Sequence, residues 1–404
     1  MVSRPVRIGA ALAGIGVIGA GAAVHADPDG WTLTGAVSEE LRALTNPDLR
    51  PGGGGDATLR ATTRLSATLT RESATTAIGI TGAVSPVIAE AGDMPDNALG
   101  ILAPSLGLRL LVEGPRSRLT ARLRGSLTST AFTDLLFGTD EEGVIDPTDP
   151  TVVTGDAIRA TLGGTLTLDW EATPRDSFSL GLDASRVDFF DGTVALVPIT
   201  TLGLTGGWTR ALTPTLDGTL TAGVTWFEAD SPQNPRSIAA SLTGGFVWTV
   251  NDRLQLSGGL GASLTRTETA LPADSDLAAG LTGNLALTYA GADDSLRLSF
   301  SHGVQPSTLG ALQNTTSFTA RYDHAVNSVS ALGFEARAQR QSAVSGGGGD
   351  ILALRLGPYY SHQLDADTSL RLGYVFELSE RDGAGTARSH AVFLTLTRGF
   401  NLLQ

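Results

Sequence analysis

Leu59-Arg60-Ala61-Thr62-Thr63-Arg64-Leu65-Ser66-Ala67-Thr68-Leu69-Thr70 decides the fold. Taken at every second residue, the stretch separates into Leu59, Ala61, Thr63, Leu65, Ala67 and Leu69 on one side and Arg60, Thr62, Arg64, Ser66, Thr68 and Thr70 on the other. Successive side chains of a strand leave opposite faces, so this segment has one apolar and one polar face. Leu119, Ala121, Leu123, Gly125 and Leu127 stand against Arg118, Thr120, Arg122, Arg124, Ser126 and Thr128 in the same way. The pattern recurs from Ile158 to Trp170, Leu216 to Trp226, Ile238 to Val250, Leu254 to Leu264, Leu277 to Tyr289 and Leu370 to Leu378. A period of two sustained along a chain is a strand signature.

Working outward, the alternation predicts eighteen strands: 31–41, 58–70, 75–84, 102–113, 116–131, 157–171, 177–189, 197–210, 216–228, 236–250, 254–267, 276–290, 295–304, 313–323, 329–341, 350–362, 368–379 and 388–400. Many exceed the five or six residues typical of soluble strands and suit tilted strands that cross a bilayer. The connections alternate in length. Short ones, such as Gly114-Pro115 and Asn251–Arg253, separate long ones, such as Ser85–Ile101, Phe132–Asp156, Glu268–Ser275 and Glu380–Ala387. Short periplasmic turns with long extracellular loops are the rule in outer-membrane barrels. With both chain ends on the short-turn side the strand number is even, which gives eighteen, or sixteen if one pair is miscounted.

The composition agrees. Only 17% of the 404 residues are charged, 50 are glycine, none is cysteine, and the 28 basic groups are all arginine. A soluble chain carries nearer a quarter charged residues. The net charge of −13 argues against a nucleic-acid partner, which needs a basic face, and the missing cysteines exclude disulfides and thiolate chemistry. Arg4 and Arg7 precede an apolar run from Ile8 to Ala23, and Val24-His25-Ala26 supplies small residues before Asp27. This predicts a Sec-type signal peptide over residues 1–26, too short to span a bilayer, and a mature barrel over 27–404.

Trp170, Trp208, Trp248, Tyr289, Tyr322 and Tyr360 all fall on the apolar phase shortly before a short turn, as a periplasmic aromatic girdle would, with Trp226 in the opposite ring. The alternative is a set of ordinary core aromatics in a soluble sandwich. On these features the chain resembles the porin-like β-barrels of Gram-negative outer membranes. The opening Trp31–Leu41, Asn46-Pro47-Asp48, Leu59–Thr70 and Thr76–Val84 are further similar to the β-barrel porins linked to exopolysaccharide loci. The resemblance implies an integral outer-membrane barrel in contact with lipid and lipopolysaccharide, with short turns in the periplasm and long loops outside. It also implies delivery by the Sec and barrel-assembly machineries, no cofactor, and an exopolysaccharide export role as the more specific version. The chain departs from the family in its ending, Phe400-Asn401-Leu402-Leu403-Gln404, where such barrels finish on an aromatic. Phe400 closes the row Val392, Leu394, Leu396, interrupted by Arg398, so the last four residues either trail beyond the barrel or form a degenerate signal.

The polar phase predicts the lumen. It carries Arg60, Arg64, Arg109, Arg118, Arg122, Arg124, Arg159, Arg297, Arg337, Arg355 and Arg371 against Glu113, Asp169, Glu171, Asp183, Asp217, Glu335 and Glu377. A net basic lumen thus sits inside an acidic chain. The first seven arginines form one wall, and arginine ladders in a pore favour anions. Alternatively the charges neutralise one another across strands, as Arg118 and Glu113 would. The loop 132–156, apolar at Leu135 and Phe137 and acidic at Asp140, Glu141, Glu142 and Asp146, either folds inward opposite that wall or screens the mouth as a surface loop. No G-x-S-x-G, H-x-x-x-H or H-E-x-x-H occurs, so neither a barrel hydrolase nor a metal site is predicted. The expected function is passive passage of small hydrophilic, preferentially anionic, solutes or saccharides, the alternative being a plugged barrel that binds partners through its loops.

Overall fold

The structure is a computed structural model that describes residues 30–46, 49, 52, 57–89, 103–129, 157–190, 196–231, 235–270, 273–306, 312–344, 350–383 and 385–403. The expected leader over 1–26 and the loop with Leu135, Phe137, Asp140, Glu141, Glu142 and Asp146 lie outside the described residues. No helix among the described residues is long and apolar enough to cross a membrane.

In chain order the strands are β1 Trp31–Thr45, β2 Thr58–Glu72, β3 Thr76–Val84, β4 Val87–Ala89, β5 Ser105–Glu113, β6 Ser117–Ser129, β7 Ile158–Glu171, β8 Asp176–Phe190, β9 Ile199–Ala211 and β10 Leu216–Ala229. They continue as β11 Arg236–Asn251, β12 Leu254–Ala270, β13 Ala273–Ala290, β14 Asp294–Pro306, β15 Leu312–Asn327, β16 Ser330–Ala343, β17 Ile351–Gln363, β18 Thr368–Arg381 and β19 Gly385–Leu403. β3 and β4 are two pieces of one stave, interrupted at Pro86, which has no amide hydrogen to give to the ladder. Both pair with β2, and the Thr63 amide bonds the Pro86 carbonyl at 3.0 Å across the break. Eighteen staves therefore pair antiparallel with their neighbours, and β1 closes on β19 from Leu33–Leu403 to Thr45–His390. Closure leaves no free sheet edge at that junction, the condition for a sheet to sit in hydrocarbon.

Each short connection is a turn of two to four residues: 73–75, 114–116, 172–175, 212–215, 252–253, 291–293, 328–329 and 364–367. Side-chain acceptors build several of them. Asn251 Oδ1 accepts from the Arg253 and Leu254 amides at 2.9 and 3.0 Å, and Asn327 Oδ1 accepts from Val329 at 3.0 Å. The Asp367 amide donates to Asp365 at 2.9 Å, and that bond holds the Asp365 carboxyl below the usual carboxylate range.

The strands overrun the expected limits at the loop end. β1 reaches Thr45, β12 and β13 meet across residues 271–272, and β18 and β19 are separated by residues 382–384. The chain end also differs from the expectation of a trailing segment: β19 continues past Phe400 to Leu403, and the Leu402 side chain packs over Gly35 of β1.

The alternation sorts the side chains as the period requires. Leu166, Trp170, Leu180, Leu204, Leu220, Leu242, Leu285, Phe318, Leu372 and Leu394 are all exposed on the outer face. An apolar belt of this extent has no place in water, since soluble monomers keep such patches small. The inner face is polar and hydrogen-bonded between strands, as in Ser301–Ser317 at 2.7 Å and Ser237–Thr267 at 3.0 Å.

Candidate functional site

The lumen is the candidate site, and the register shows how its charges are placed. Arginine faces arginine directly across four strand pairs: Arg42–Arg60, Arg109–Arg122, Arg297–Arg321 and Arg337–Arg355. Like charges set opposite one another destabilise a sheet, so such pairs mark positions where stability is not the only requirement. Arg60 and Arg64 lie on β2, Arg109 on β5, Arg118, Arg122 and Arg124 on β6 and Arg159 on β7, all on the inner phase of adjacent staves. Arg118 meets Glu113 at 3.2 Å, a mutually satisfied cross-strand pair. Arg109 and Arg122 have no carboxylate partner among the described residues.

The basic arc continues through the barrel junction, where Arg371, Arg355, Glu335 and Glu377 of the expected polar phase are joined by residues the sequence pattern did not single out, Arg42, Arg321, Asp323, Tyr359 and Phe393. One register row runs Asp323–Gly333–Tyr359–Gly373–Phe393–Arg42–Arg60 across β15 to β2. Tyr359 and Phe393 lie flat along the wall because their neighbours are glycine: the Tyr359 ring occupies the space where a Gly333 side chain would stand, and Phe393 does the same at Gly373. Gly373→Val is expected to lift Phe393 and cost about 1–3 kcal/mol of folding stability by overpacking, measurable in a urea titration of the barrel in vesicles. On these rings rest two guanidinium groups, Arg371 at 3.7 Å from the Tyr359 centroid and Arg42 at 5.8 Å from that of Phe393. The Tyr359 hydroxyl donates to Asp323, Arg321 contacts Asp323 at 2.9 Å, and Glu335 sits between Arg371 at 3.2 Å and Arg321 at 3.5 Å. Arg355 and Glu377 pair at 3.3 Å.

The opposite arc carries little charge. The inner positions of β9 to β13 are mostly glycine, serine and threonine, for example Thr205, Thr221, Thr243, Gly261, Ser263, Thr265 and Gly280, with Asp217 an exception. The lumen is also uneven along its axis. Inner residues toward the turn end, such as Thr165, Asp169, Thr205 and Thr221, are exposed to the cavity. Toward the loop end Val187, Ile199, Phe227 and Ala229 are buried. Narrowing thus lies on the loop side.

The expected girdle residues all stand on the outer phase near the turn ends. Trp170, Trp208, Trp248, Tyr322 and Tyr360 are exposed there and Tyr289 is half-buried. Their polar tips reach polar groups near the turns: Trp208 Nε1 donates to Asp176 at 3.2 Å, Tyr322 to Asp294 at 2.6 Å and Tyr360 to Ser330 at 3.1 Å. An apolar ring with a hydrogen-bonded tip suits a membrane–water boundary. Among the described residues no group of three or more His, Asp or Glu side chains is placed to hold a metal ion.

Closed, eighteen-stranded, apolar outside and charged within, the molecule is a porin-like β-barrel. No family model and no curated protein matches the chain. Solved structures do: OccK9 (OpdG) of Pseudomonas aeruginosa, with 14% identity over 93% of this chain and 100% of that one at a TM-score of 0.48, and the outer membrane protein opdK of the same organism, with 11% identity over 91% and 99% at 0.46. The FrpB iron transporter of Neisseria meningitidis is similar at 8% identity, covering 91% of this chain and 81% of that one, with a TM-score of 0.47. Strand number and closure come from the hydrogen-bonded ladder of this chain and stand apart from these likenesses.

Proposed function

We propose that the protein is a non-enzymatic outer-membrane channel for small hydrophilic solutes, with a preference for anions, acidic saccharides among them. The observation that carries this reading is the pair Arg109–Arg122, facing each other across the inner wall with no carboxylate partner among the described residues. Two guanidinium groups held side by side in a wet channel repel one another and are relieved by a passing anion. Same-sign charge in a confined, water-filled space raises the local concentration of its counter-ions. Eighteen staves also leave a lumen too wide for wall side chains alone to fill.

The aromatic–guanidinium shelf suits the same role. Tyr359 and Phe393 fix Arg371 and Arg42 against the wall, and Glu335 and Asp323 hold Arg321, so the charges keep their positions while solute moves past. The girdle aromatics would mark the periplasmic boundary, and the long loops would face outward. Liposomes containing the purified protein should swell faster in an isotonic acidic monosaccharide than in a neutral one of similar size. Equal rates would remove the anion preference, and no swelling with either solute would favour a plugged barrel.

A further inference from the structure

One seam of the barrel opens before its strands end. β13 has 18 residues and β14 has 13, yet they pair over only eight positions, from Ala290–Ser295 to Gly283–His302. Above that point β13 stays paired with β12 as far as Ala270–Ala273, while β14 stays paired with β15 as far as Pro306–Leu312 and β15 with β16 as far as Gln313–Ala343. The two hairpins part company at Gly283 and His302.

The upper end of β14–β15 goes inside. Leu312 and Asn314 share the phase of Phe318, which faces outward lower on the same strand. Here, however, Leu312 packs on the inner cluster of Val187, Ile199, Phe227 and Ala229 from β8 to β10. The Asn314 amide oxygen lies 4.0 Å from the Cβ position of Gly280, on the inner face of β13. Ser263 and Thr265 of β12 are 4% and 2% exposed on that same inner face. The hairpin end therefore overlaps the inner surface of β11 to β13, where glycine, serine and threonine leave it room. Outside, the wall it has left is bare: Leu260 is 82%, Leu277 70% and Leu281 74% exposed, well above other outer leucines.

This arrangement leaves the β13 edge unpaired within the apolar belt. At about 2.6 Å of climb per residue for a strand tilted near 40°, Gly283 is about 16 Å above Tyr289, while the belt is about 25 Å tall. Roughly three or four residues of exposed backbone edge thus remain in hydrocarbon, which offers them no hydrogen-bond partners. The existing register, continued, pairs Thr282 with Gly303, Leu281 with Val304 and Gly280 with Gln305, and ends at Pro306, which has no amide hydrogen to give.

We infer that the upper β14–β15 hairpin, bending together with the upper part of β16 to which it stays paired, is a gate with two positions: folded into the lumen against the Phe227 cluster, or zipped onto the free edge of β13 with the lumen widened. The conductance consequence rests on the channel reading above; the two positions do not. The chain has no cysteine, so engineered pairs are its only thiols. Leu281→Cys with Val304→Cys should oxidise only when the seam is zipped, and Gly280→Cys with Asn314→Cys only when the hairpin is inside. Leu285→Cys with Phe300→Cys, paired below the seam, is the control for membrane-inserted protein.

The expected result in lipid vesicles is oxidation of both test pairs, read by gel mobility. In planar bilayers the single-channel conductance should be at least twofold higher with the first pair closed than with the second, and the difference should vanish on reduction. Failure of the first pair to oxidise while the control does would overturn the gate, as would failure of the second, or equal conductance with either pair closed. If the unmodified protein passes no current, the channel reading fails by itself, and the oxidation pattern still decides between one position and two.

Discussion

Exchanging Arg109 and Arg122 together for glutamate is expected to reverse the ion preference of the barrel. The two residues face each other across β5 and β6, and each substitution changes the local charge by two. In a wet lumen each charge is worth only a few tenths of a kcal/mol, but four such changes on one stretch of wall sum to about 1.4 kcal/mol, roughly a tenfold change in permeability ratio. The fold should survive, because opposed glutamates replace opposed arginines in a solvated position. Arg118→Glu is the contrasting substitution: it sets glutamate against Glu113 and breaks an ion pair, so its effect should fall more on stability than on selectivity. An unchanged preference in the Arg109/Arg122 variant would make the arginine arc structural.

The second large effect lies on the other face. Leu204 stands on the outer phase of β9 four residues before Trp208, near the middle of the apolar belt, and its neighbour Thr205 faces the lumen. Leu204→Arg should destabilise the barrel in a bilayer by about 2–4 kcal/mol, the usual cost of a cation on the lipid face at that depth. Thr205→Arg, one residue away, should leave stability within about 0.5 kcal/mol, as a solvated substitution does. Urea-dependent refolding into vesicles measures both. Equal sensitivity at the two positions would contradict the membrane placement of the outer face.

All eighteen staves were legible from alternation, because one wall facing lipid and the other facing water impose a period of two on each strand. Where that contrast fades, the reading fell short. Past Leu41, Leu264 and Leu378, and before Leu277, the residues no longer alternate between apolar and polar, so the strands continue without an apolar phase to announce them. The C-terminal stave was read as ending at Phe400, the aromatic that closes its row across the interruption at Arg398. In the structure Arg398 lies over the Phe400 ring at 5.5 Å, a cation at the belt's edge on the outer phase.

The shared phase of the arginines from Arg60 to Arg159 was likewise read from the alternation. Of the shelf beside them Arg371 and Glu335 were on the expected polar phase, but Tyr359, Phe393 and Arg42 were not singled out, although two signals were present. Of the adjacent pair Tyr359 and Tyr360 only one can face lipid, which assigns Tyr359 to the lumen. Arg42 lay one residue past the expected end of the first strand. The open seam between β13 and β14 had no signature of this kind. It depends on contacts between Leu312 and β8 to β10, far apart in sequence, and the only local trace is the run of small residues at Ser263, Thr265 and Gly280 that makes room for the hairpin.

A water-filled, anion-preferring path through a closed barrel sets the sign of the current it carries. Its most direct test is the reversal potential of the purified full-length protein in a planar bilayer under a tenfold gradient of potassium chloride. Stepwise currents with a reversal potential displaced toward that of chloride are predicted. A displacement toward that of potassium, or no current from protein shown to be folded, would contradict it.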